Sequence, residues 1–266
     1  MGKIFKVAAA QMDCIPEDVS GNLTAAEGLL RLAAAGGAVL VVLPELFDTG
    51  YRVEKRDNEL ASTIPGPTTD RITAVCRAEK IFATGTLIER SEGKLYDTAF
   101  LTGPDGLIGT YRKTALWGGE VDRFEKGNSY PVFDIGICKV GIQICYEIGF
   151  PEGARILSLQ GADVILYPSA FGAPRLYAWD LASRARALEN GCYVIACNRS
   201  GSERGDTVFG AHSRIVNPLG DIIASAAEDY EVITAEVDLG EIEKQRTALP
   251  YLSDLRRDLA ADYYRE

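Results

Sequence analysis

Residues 37–47 read GAVLVVLPELF, and residues 161–171 read GADVILYPSAF. Glycine, alanine, proline and phenylalanine occupy matching places in the two stretches, and four apolar positions between them also correspond. A continuous apolar run of this kind is typical of a strand that is buried on both faces of a sheet. The similarity arises either by chance between two buried strands or from an architecture with two related halves.

Segments with helical periodicity alternate with further apolar runs along the chain. Because strands alternate with helices, the sequence predicts an α/β fold with helices packed on the faces of the sheets. We predict helices over residues 20–35, 67–80, 152–160 and 176–189, and strands over residues 4–12, 38–43, 81–90, 95–102, 107–111, 139–145, 162–167 and 193–198. Ser20 or Asn22 is expected to cap the first helix. The remainder to residue 238 is predicted as β, with a short helix and a helical tail after it. No linker divides the chain, so residues 1–266 are predicted to form a single domain.

The composition is ordinary for a globular protein. Apolar residues make up 47% of the 266 residues and charged residues 25%, which excludes a disordered or collagen-like chain. Asp and Glu number 38 against 28 Lys and Arg, which gives a formal net charge of −10. An acidic surface repels nucleic acids and anionic membranes, so we expect neither as a partner. No apolar run approaches the roughly 18 residues that a membrane span requires.

Six cysteines are scattered along the chain, and no two have the C-x-x-C spacing of a zinc or thioredoxin-like site. This distribution is typical of free thiols in a reducing compartment. Lys6 interrupts the region that would be apolar in a secretory signal, so we expect a cytoplasmic location. His212 is the single histidine. That count excludes His-rich metal sites and requires any Ser-His or Cys-His mechanism to use His212 itself.

Three predicted strands lead into residues with reactive or charged side chains. Glu45 follows the strand over 38–43 and Pro44, Lys113 follows the strand over 107–111, and Cys145 ends the strand over 139–145. Each has an ordinary interpretation: a loop carboxylate in water, an exposed cationic edge, and a small buried apolar residue. Together they favour a site, because ligands of α/β sheets bind at the carboxyl ends of strands. At a turn from strand to helix, we expect the Cys145 thiol to be exposed beside backbone N–H groups that hold an oxyanion.

The sequence around these residues resembles the nitrilase superfamily, the carbon–nitrogen hydrolases. LPELFDTGY at 43–51 resembles the glutamate motif, YRKTALWGGE at 111–120 the lysine motif, and ICYEIGFPE at 144–152 the cysteine motif. The three motifs follow one another in the family's order and at its separations, and the resemblance covers nearly the whole chain.

Two later blocks also fit the family, residues 186–190 and residues 210–215 with Pro218 and Gly220. His212 lies in the second of these blocks and is interpreted as structural. One departure is visible in the lysine motif, where Ala115 stands in place of a frequent histidine. The lysine itself is present, so this departure bears on the polarity of the pocket rather than on catalysis.

The resemblance implies a four-layer α-β-β-α sandwich with two related halves, which agrees with the repeated runs. It also implies that the chain pairs into a homodimer or a larger homo-oligomer. We expect the C-terminal tail, residues 240–266, to take part in contacts between subunits.

The resemblance also implies the roles of the site residues. Cys145 is the nucleophile, Glu45 is the general base, and Lys113 stabilises the oxyanion together with the N–H of Tyr146. Glu120 supports the site by positioning Lys113 and the substrate. Neither a metal nor an organic cofactor is expected. Contacts to the substrate are expected from Tyr51, Trp117, Tyr146, Ser169 and Ala170.

The implied reaction is hydrolysis of a small aliphatic amide to a carboxylic acid and ammonia through a thioester. Nitrilases usually carry Cys-Trp-Glu, whereas residues 145–147 read CYE, which is nearer to amidases. Residues 246–256 resemble the branch of aliphatic amidases such as 5-aminopentanamidase. Hydrolysis of a nitrile or of an N-carbamoyl group remains open, as does a catalytically silent binding module on the same fold. The intact glutamates, lysine and cysteine argue against a silent module.

The sequence also bears on the charge of the substrate. Branches of the family that bind a substrate carboxylate tend to have an arginine four residues after the cysteine, and here that position is Gly149. A buried carboxylate without a cation is costly, so a neutral or amine-bearing amide is expected. The alternative is that another arginine, such as Arg175 or Arg199, supplies the charge.

Overall fold

Both repeated runs form middle strands of six-stranded sheets in the computed structural model, which describes residues 3–259. The strands are β1 Ile4–Gln11, β2 Ala38–Val42, β3 Phe82–Ser91, β4 Lys94–Gly103, β5 Gly106–Arg112, β6 Val132–Asp134, β7 Lys139–Ile142, β8 Val164–Ser169, β9 Tyr193–Asn198, β10 Ser202–Glu203, β11 Thr207–Val208, β12 Arg214–Val216, β13 Ile222–Ser225 and β14 Glu231–Asp238. The α-helices are α1 Val19–Ala35, α2 Asp57–Leu60, α3 Pro67–Glu79, α4 Pro151–Leu159, α5 Leu176–Asn190 and α6 Leu239–Ala248.

The two large sheets share one topology. Their strand orders are β14-β1-β2-β3-β4-β5 and β13-β12-β9-β8-β7-β6. In each sheet three neighbouring strands run parallel, β1-β2-β3 in the first and β7-β8-β9 in the second, and antiparallel strands flank them. The repeated runs lie in β2 and β8, the middle strand of each parallel trio. The prediction of two related halves is therefore confirmed.

Alternate side chains along the central strands serve two different layers. Val7 and Leu40 belong to the core between the two sheets, whereas Ala8 and Val41 pack in the core beneath α1 and α3. Helices α4 and α5 cover the outer face of the second sheet. The result is the predicted four-layer α-β-β-α sandwich, and both faces of the central strands are apolar because both are covered.

The ends of the predicted helices agree with the structure to within one residue, but the predicted cap of α1 is wrong. Asp18 caps α1, because its carboxylate accepts a hydrogen bond from the Gly21 N–H at 3.0 Å. Asn22 instead holds the preceding loop, accepting from the Ile15 N–H at 2.8 Å and donating to the Asp48 carbonyl at 2.9 Å. Because the side-chain oxygen of Asn22 already accepts the Ile15 N–H, it does not cap the N–H groups at the start of α1.

The strand before the cysteine is shorter than predicted. It ends at Ile142, and the chain then turns through a 3₁₀ segment over Cys145–Gly149 into α4. The edge strand β6 lies within a stretch for which no strand was predicted. At three residues it is too short to show an alternating pattern.

The C-terminal region packs at least partly on its own chain. Arg246 of α6 donates to the carbonyl of Ala162 at 2.9 Å and to that of Asn190 at 3.2 Å. Of the tail expected to contact another subunit, residues 260–266 lie outside the described part of the chain. Among residues 3–259, no helix combines the length and the apolar character that crossing a membrane requires.

Candidate active site

A buried ammonium group lies at the centre of the predicted site. The Lys113 Nζ lies 2.6 Å from Glu45 Oε1, 2.9 Å from Glu120 and 3.5 Å from Asp97 Oδ2, and all four side chains are inaccessible to solvent or nearly so. Burial alone lowers the pKa of Lys113, but the three carboxyl groups outweigh it and hold the pKa well above its usual value. Oxygens of the three carboxyl groups lie within 4.8 Å of one another, a spacing that also suits a metal ion. Here the ammonium of Lys113 provides the positive charge among them.

Glu45 joins the two halves of the molecule. It follows β2 and Pro44, and its second carboxylate oxygen accepts a hydrogen bond from the Ala170 N–H at 2.7 Å, just beyond β8. The next residue, Leu46, has a left-handed backbone with φ 47°, which turns the chain sharply at the end of the strand. Both oxygens of Glu45 are therefore held, one by Lys113 of its own half and one by the opposite half.

Cys145 begins its 3₁₀ turn with φ 49°, a conformation that non-glycine residues adopt rarely and that is often found at functional sites. Its side chain lines a pocket, but the residue is only 6% exposed, so the expectation of an exposed thiol is wrong. The chain leaves the sheet three residues earlier than predicted, which places the thiol inside the wall of the pocket. Burial, followed by the charge of Glu45, raises the pKa of Cys145 well above its usual value. The resting group is a neutral thiol that needs a base.

Glu147, which the sequence analysis did not single out, ties the lysine segment to the cysteine turn. One of its oxygens accepts from the Thr114 N–H at 2.8 Å and from the Tyr111 hydroxyl at 2.7 Å, and the other accepts from the Ile144 N–H at 2.7 Å. These bonds connect the residues that flank Lys113 to the residue before Cys145. The sequence feature that could have indicated Glu147 is its position two residues after Cys145 within the cysteine motif.

Glu120 is placed by the turn that follows the lysine motif. Its carboxylate accepts from the Tyr51 hydroxyl at 2.6 Å and from the Trp117 N–H at 2.8 Å, in addition to Lys113. The backbone of Tyr51 is held in turn by the carboxylate of Glu203, which accepts its N–H at 3.0 Å. A residue predicted to contact substrate thus also orients the supporting carboxylate.

The pocket beside the cysteine has a volume of about 570 Å³, within the usual range for small-molecule sites. Among the residues predicted to bind substrate or to support the site, Tyr51, Trp117, Glu120, Tyr146 and Ala170 line the pocket together with Cys145. The structure does not bring Ser169 to this wall. Its side chain is fully buried and its hydroxyl donates to the Tyr167 carbonyl at 3.2 Å.

His212 lies outside the pocket lining, with an exposed side chain and a backbone φ of 56°. Its carbonyl accepts hydrogen bonds from Trp179 Nε1 at 2.9 Å and from Arg214 Nε at 3.1 Å. The backbone carbonyl of His212 thus connects α5 to the strand β12. These contacts agree with the structural interpretation of the histidine.

Known proteins resemble this chain over nearly its full length. The sequence profile of the family described as Carbon-nitrogen hydrolase matches residues 6–247. A nitrilase of Pyrococcus abyssi is 40% identical over 266 residues, which cover 98% of this chain and 99% of the relative. Omega-amidase NIT2 of Xenopus tropicalis is 38% identical over 252 residues, which cover 90% and 91% of the two chains. The crystal structure of Saccharomyces cerevisiae Nit3, a member of branch 10 of the nitrilase superfamily, has a TM-score of 0.88 at 30% identity and covers 96% of this chain and 97% of that chain.

The family match and the amidases among the relatives define a hydrolase that acts on carbon–nitrogen bonds other than peptide bonds. This chain belongs to the carbon–nitrogen hydrolase family, within the nitrilase superfamily. The family, the fold class and the enzyme class predicted from the sequence are thereby confirmed.

Proposed function

We propose that the protein is a cysteine-dependent amidase that hydrolyses a small aliphatic amide to a carboxylic acid and ammonia through a thioester. The observation that carries the proposal is the arrangement of Cys145, Glu45 and Lys113. Cys145 lines the pocket, the Glu45 carboxylate and the Lys113 ammonium are paired at 2.6 Å, and both charges act on the pKa of the Cys145 thiol. The presence of amidases among the relatives favours the same reaction.

In the first step of the proposed reaction, Glu45 takes the proton of the Cys145 thiol as the sulfur bonds to the amide carbonyl carbon. A buried thiol with a raised pKa requires such a base, and Glu45 is the carboxylate whose charge contributes most to raising that pKa. The carbonyl electrons move to the oxygen, and Lys113 and the N–H of Tyr146 stabilise the resulting oxyanion. When the carbon–nitrogen bond breaks, Glu45 returns the proton to the departing nitrogen, and ammonia leaves.

In the second step Glu45 deprotonates a water molecule, whose oxygen attacks the thioester carbon. The carbon–sulfur bond then breaks, the thiolate recovers a proton from Glu45, and the carboxylic acid is released. Lys113 acts again on the oxyanion of this step. Glu120 keeps the lysine charged throughout, since its carboxylate lies 2.9 Å from the ammonium.

The experiment that tests this proposal measures ammonia release from a panel of aliphatic amides. The wild-type protein is expected to release ammonia, and the Cys145→Ala variant is expected to release none while keeping the wild-type melting temperature. Added hydroxylamine should divert the thioester to a hydroxamate. Wild-type turnover by Cys145→Ala would contradict the mechanism, and absence of ammonia from every amide would favour a silent binding module.

Nitrile hydrolysis is the second candidate, because a relative of 40% identity is a nitrilase. Pentanamide and pentanenitrile differ only in the group that is attacked, so comparing kcat/KM for the two separates the reactions. We expect the amide to be preferred, in agreement with the CYE sequence at the nucleophile. Matched N-carbamoyl compounds extend the same comparison to carbamoyl hydrolysis.

We also propose that two copies pair through the outer face of α4 and α5. Tyr177 and Leu181 on α5 are 75% and 73% exposed, and Ile156 on α4 is also exposed. Exposed apolar side chains grouped on neighbouring helices are typical of an interface between subunits. The cytoplasm is the proposed location, since all six cysteines are free thiols.

A further inference from the structure

One cation of the active-site pocket has no partner of opposite charge within the described part of the chain. Arg52 and Arg123, which line the pocket, pair with Glu54 and Asp57, each at 2.8 Å. Arg175 lines the same pocket, and within residues 3–259 its guanidinium forms neither an ion pair nor a side-chain hydrogen bond. An arginine that lines a pocket without a carboxylate partner is available to bind an anion.

Aromatic stacking holds Arg175 in place. It ends the 3₁₀ turn Ala173–Arg175, and its guanidinium carbon lies 4.7 Å from the centroid of the Trp117 ring. The Trp117 ring lies 4.8 Å from the ring of Tyr146, the residue after the nucleophile. Gly172 makes room for the cation, because a Cβ there would meet Arg175 Nη2 at 2.7 Å. The contact with the ring holds the guanidinium in place and uses none of its N–H donors, which have no side-chain acceptor among residues 3–259.

We propose that Arg175 binds a carboxylate of the substrate, so that the preferred amide carries an anionic group remote from its carbon–nitrogen bond. This inference rests on the proposed amidase function. The planar guanidinium matches a carboxylate with two parallel hydrogen bonds, and partial burial in the pocket strengthens them. The expectation of a neutral or amine-bearing amide depended on Gly149, which lies in the pocket wall without a charge.

The other arginine that the sequence left open does not suit this role. Arg199 is fully buried, it pairs with Glu203 and with Asp13, and it does not line the pocket. Its guanidinium also donates to the Cys14 carbonyl at 2.7 Å. Arg199 therefore holds the loop around Glu203, and Arg175 is the cation that a substrate reaches.

Three five-carbon amides test the inference: the monoamide of glutaric acid, pentanamide and 5-aminopentanamide, which end in a carboxylate, a methyl group and an ammonium. For the wild-type protein we expect kcat/KM to be highest for the carboxylate. Arg175→Gln should lower kcat/KM for that amide by about tenfold to a hundredfold, because a charge-assisted hydrogen bond is lost. The loss should lie in KM, since the contact is made equally in the ground state and the transition state. Pentanamide offers no carboxylate to Arg175, so its kcat/KM should fall by a much smaller factor than that of the carboxylate-bearing amide.

Two further variants and one control sharpen the test. Gly172→Ala keeps the charge of Arg175 but displaces its guanidinium, so it should reduce the preference for the carboxylate as well. Arg175→Lys keeps the positive charge but lacks the planar guanidinium. It should therefore retain more of the preference for the carboxylate-bearing amide than Arg175→Gln does. Arg77→Gln makes the same change of net charge on the exposed surface of α3 and should change nothing.

The outcomes separate the two proposals. If none of the three amides releases ammonia, the proposed amidase function fails. If pentanamide is hydrolysed and the carboxylate-bearing amide is no better a substrate, the amidase function stands and the role of Arg175 is overturned. An unchanged ratio of the two kcat/KM values in Arg175→Gln would overturn it as well.

Discussion

At the scale of single residues, one ammonium faces three carboxyl groups in a volume closed to water. Two of them, Glu45 and Glu120, lie at hydrogen-bond distance from Lys113, whereas Asp97 lies at 3.5 Å and neither of its oxygens has a hydrogen-bond partner in the described chain. Burial, followed by the charge of Glu45, raises the pKa of Asp97 to about 8. Asp97 is therefore mostly protonated at neutral pH, which makes it a poor candidate for the general base.

The first prediction concerns Glu45 as the base for both steps. Glu45→Gln should lower kcat for amides by about 10²–10⁴-fold, the usual contribution of general acid–base catalysis. Offered an activated ester, whose leaving group needs no proton, the variant should accumulate an acyl group on Cys145, because water is no longer activated. Intact-mass spectrometry detects the adduct, and the double variant with Cys145→Ala serves as the control. A variant that turns the ester over at the wild-type rate, with no adduct, would contradict the assigned role.

The second prediction concerns pH and Asp97. The pKa rises from 3.8 to about 8 on folding, so the folded state binds more protons than the unfolded state in this range. The contribution of a protonated Asp97 to stability is present below pH 3.8 and is lost as the pH rises toward 8. The melting temperature of the wild type should therefore fall relative to that of Asp97→Asn between about pH 4 and pH 8. Asp105→Asn, an exposed carboxylate in the turn after β4, is the matched control. If the melting temperatures of the wild type and Asp97→Asn change in parallel with pH, the raised pKa of Asp97 is refuted.

At the scale of secondary-structure elements, β5 and the cysteine turn act as one unit through Glu147. The carboxylate receives backbone or hydroxyl donors from both segments, and the residue is buried. Buried donors that lose their acceptor cost about 1–3 kcal/mol each. The position of the thiol relative to the lysine thus depends on a residue that touches neither.

The third prediction follows from that dependence. Glu147→Ala should destabilise the protein by about 3–5 kcal/mol and lower its melting temperature by about 10 °C. Activity measured well below melting should also fall, since Lys113 and Cys145 lose their common anchor. Glu147→Gln keeps one oxygen acceptor and should lie between the wild type and Glu147→Ala in both measurements. If Glu147→Ala is as stable as the wild type, the hydrogen bonds of Glu147 contribute little to the free energy of unfolding.

The sequence predicted those residues of the candidate site that lie within motifs at the ends of strands. Glu45 and Cys145 each follow an apolar run, so their place at one edge of the sheets follows from the pattern itself. Asp97 lies in the middle of β4, and it reaches Lys113 only through the register of β4 with β5, where the Lys113 N–H donates to the Asp97 carbonyl at 2.9 Å. That register depends on the turn at 103–106 and on pairing across strands, which composition and periodicity do not specify.

At the scale of the whole molecule, each half supplies a residue of the candidate site. Glu45 comes from the first half and Cys145 from the second, and the hydrogen bond from the Ala170 N–H to Glu45 crosses between them. The fold class followed from the alternation of strands and helices and from the repeated runs, because both depend on local pattern. The α1 cap and the 3₁₀ turn at Cys145 did not follow, because tertiary contacts decide them.

The fourth prediction concerns the proposed dimer. Leu181→Arg should convert the dimer to a monomer, because a charge buried at an interface costs several kcal/mol. Light scattering coupled to size exclusion measures the mass. Leu32→Arg, at a residue that is 59% exposed on α1, is the matched control and should leave the mass unchanged. A wild-type mass near 28.8 kDa, that of one chain, would show that the face of α4 and α5 is not an interface.

Trp117, whose ring lies beneath the Arg175 guanidinium, can also be followed by its fluorescence. The chain has two tryptophans, and they occupy opposite environments: Trp117 lines the pocket and is 38% exposed, whereas Trp179 is fully buried. Iodide in solution reaches the exposed ring of Trp117 but not the buried ring of Trp179, so quenching by iodide reports on Trp117. Protection of the Trp117 emission from iodide quenching therefore reports occupancy of the pocket without a label. A Cys145→Ala protein is expected to bind amides without turnover, so the same signal should give the dissociation constant of each amide.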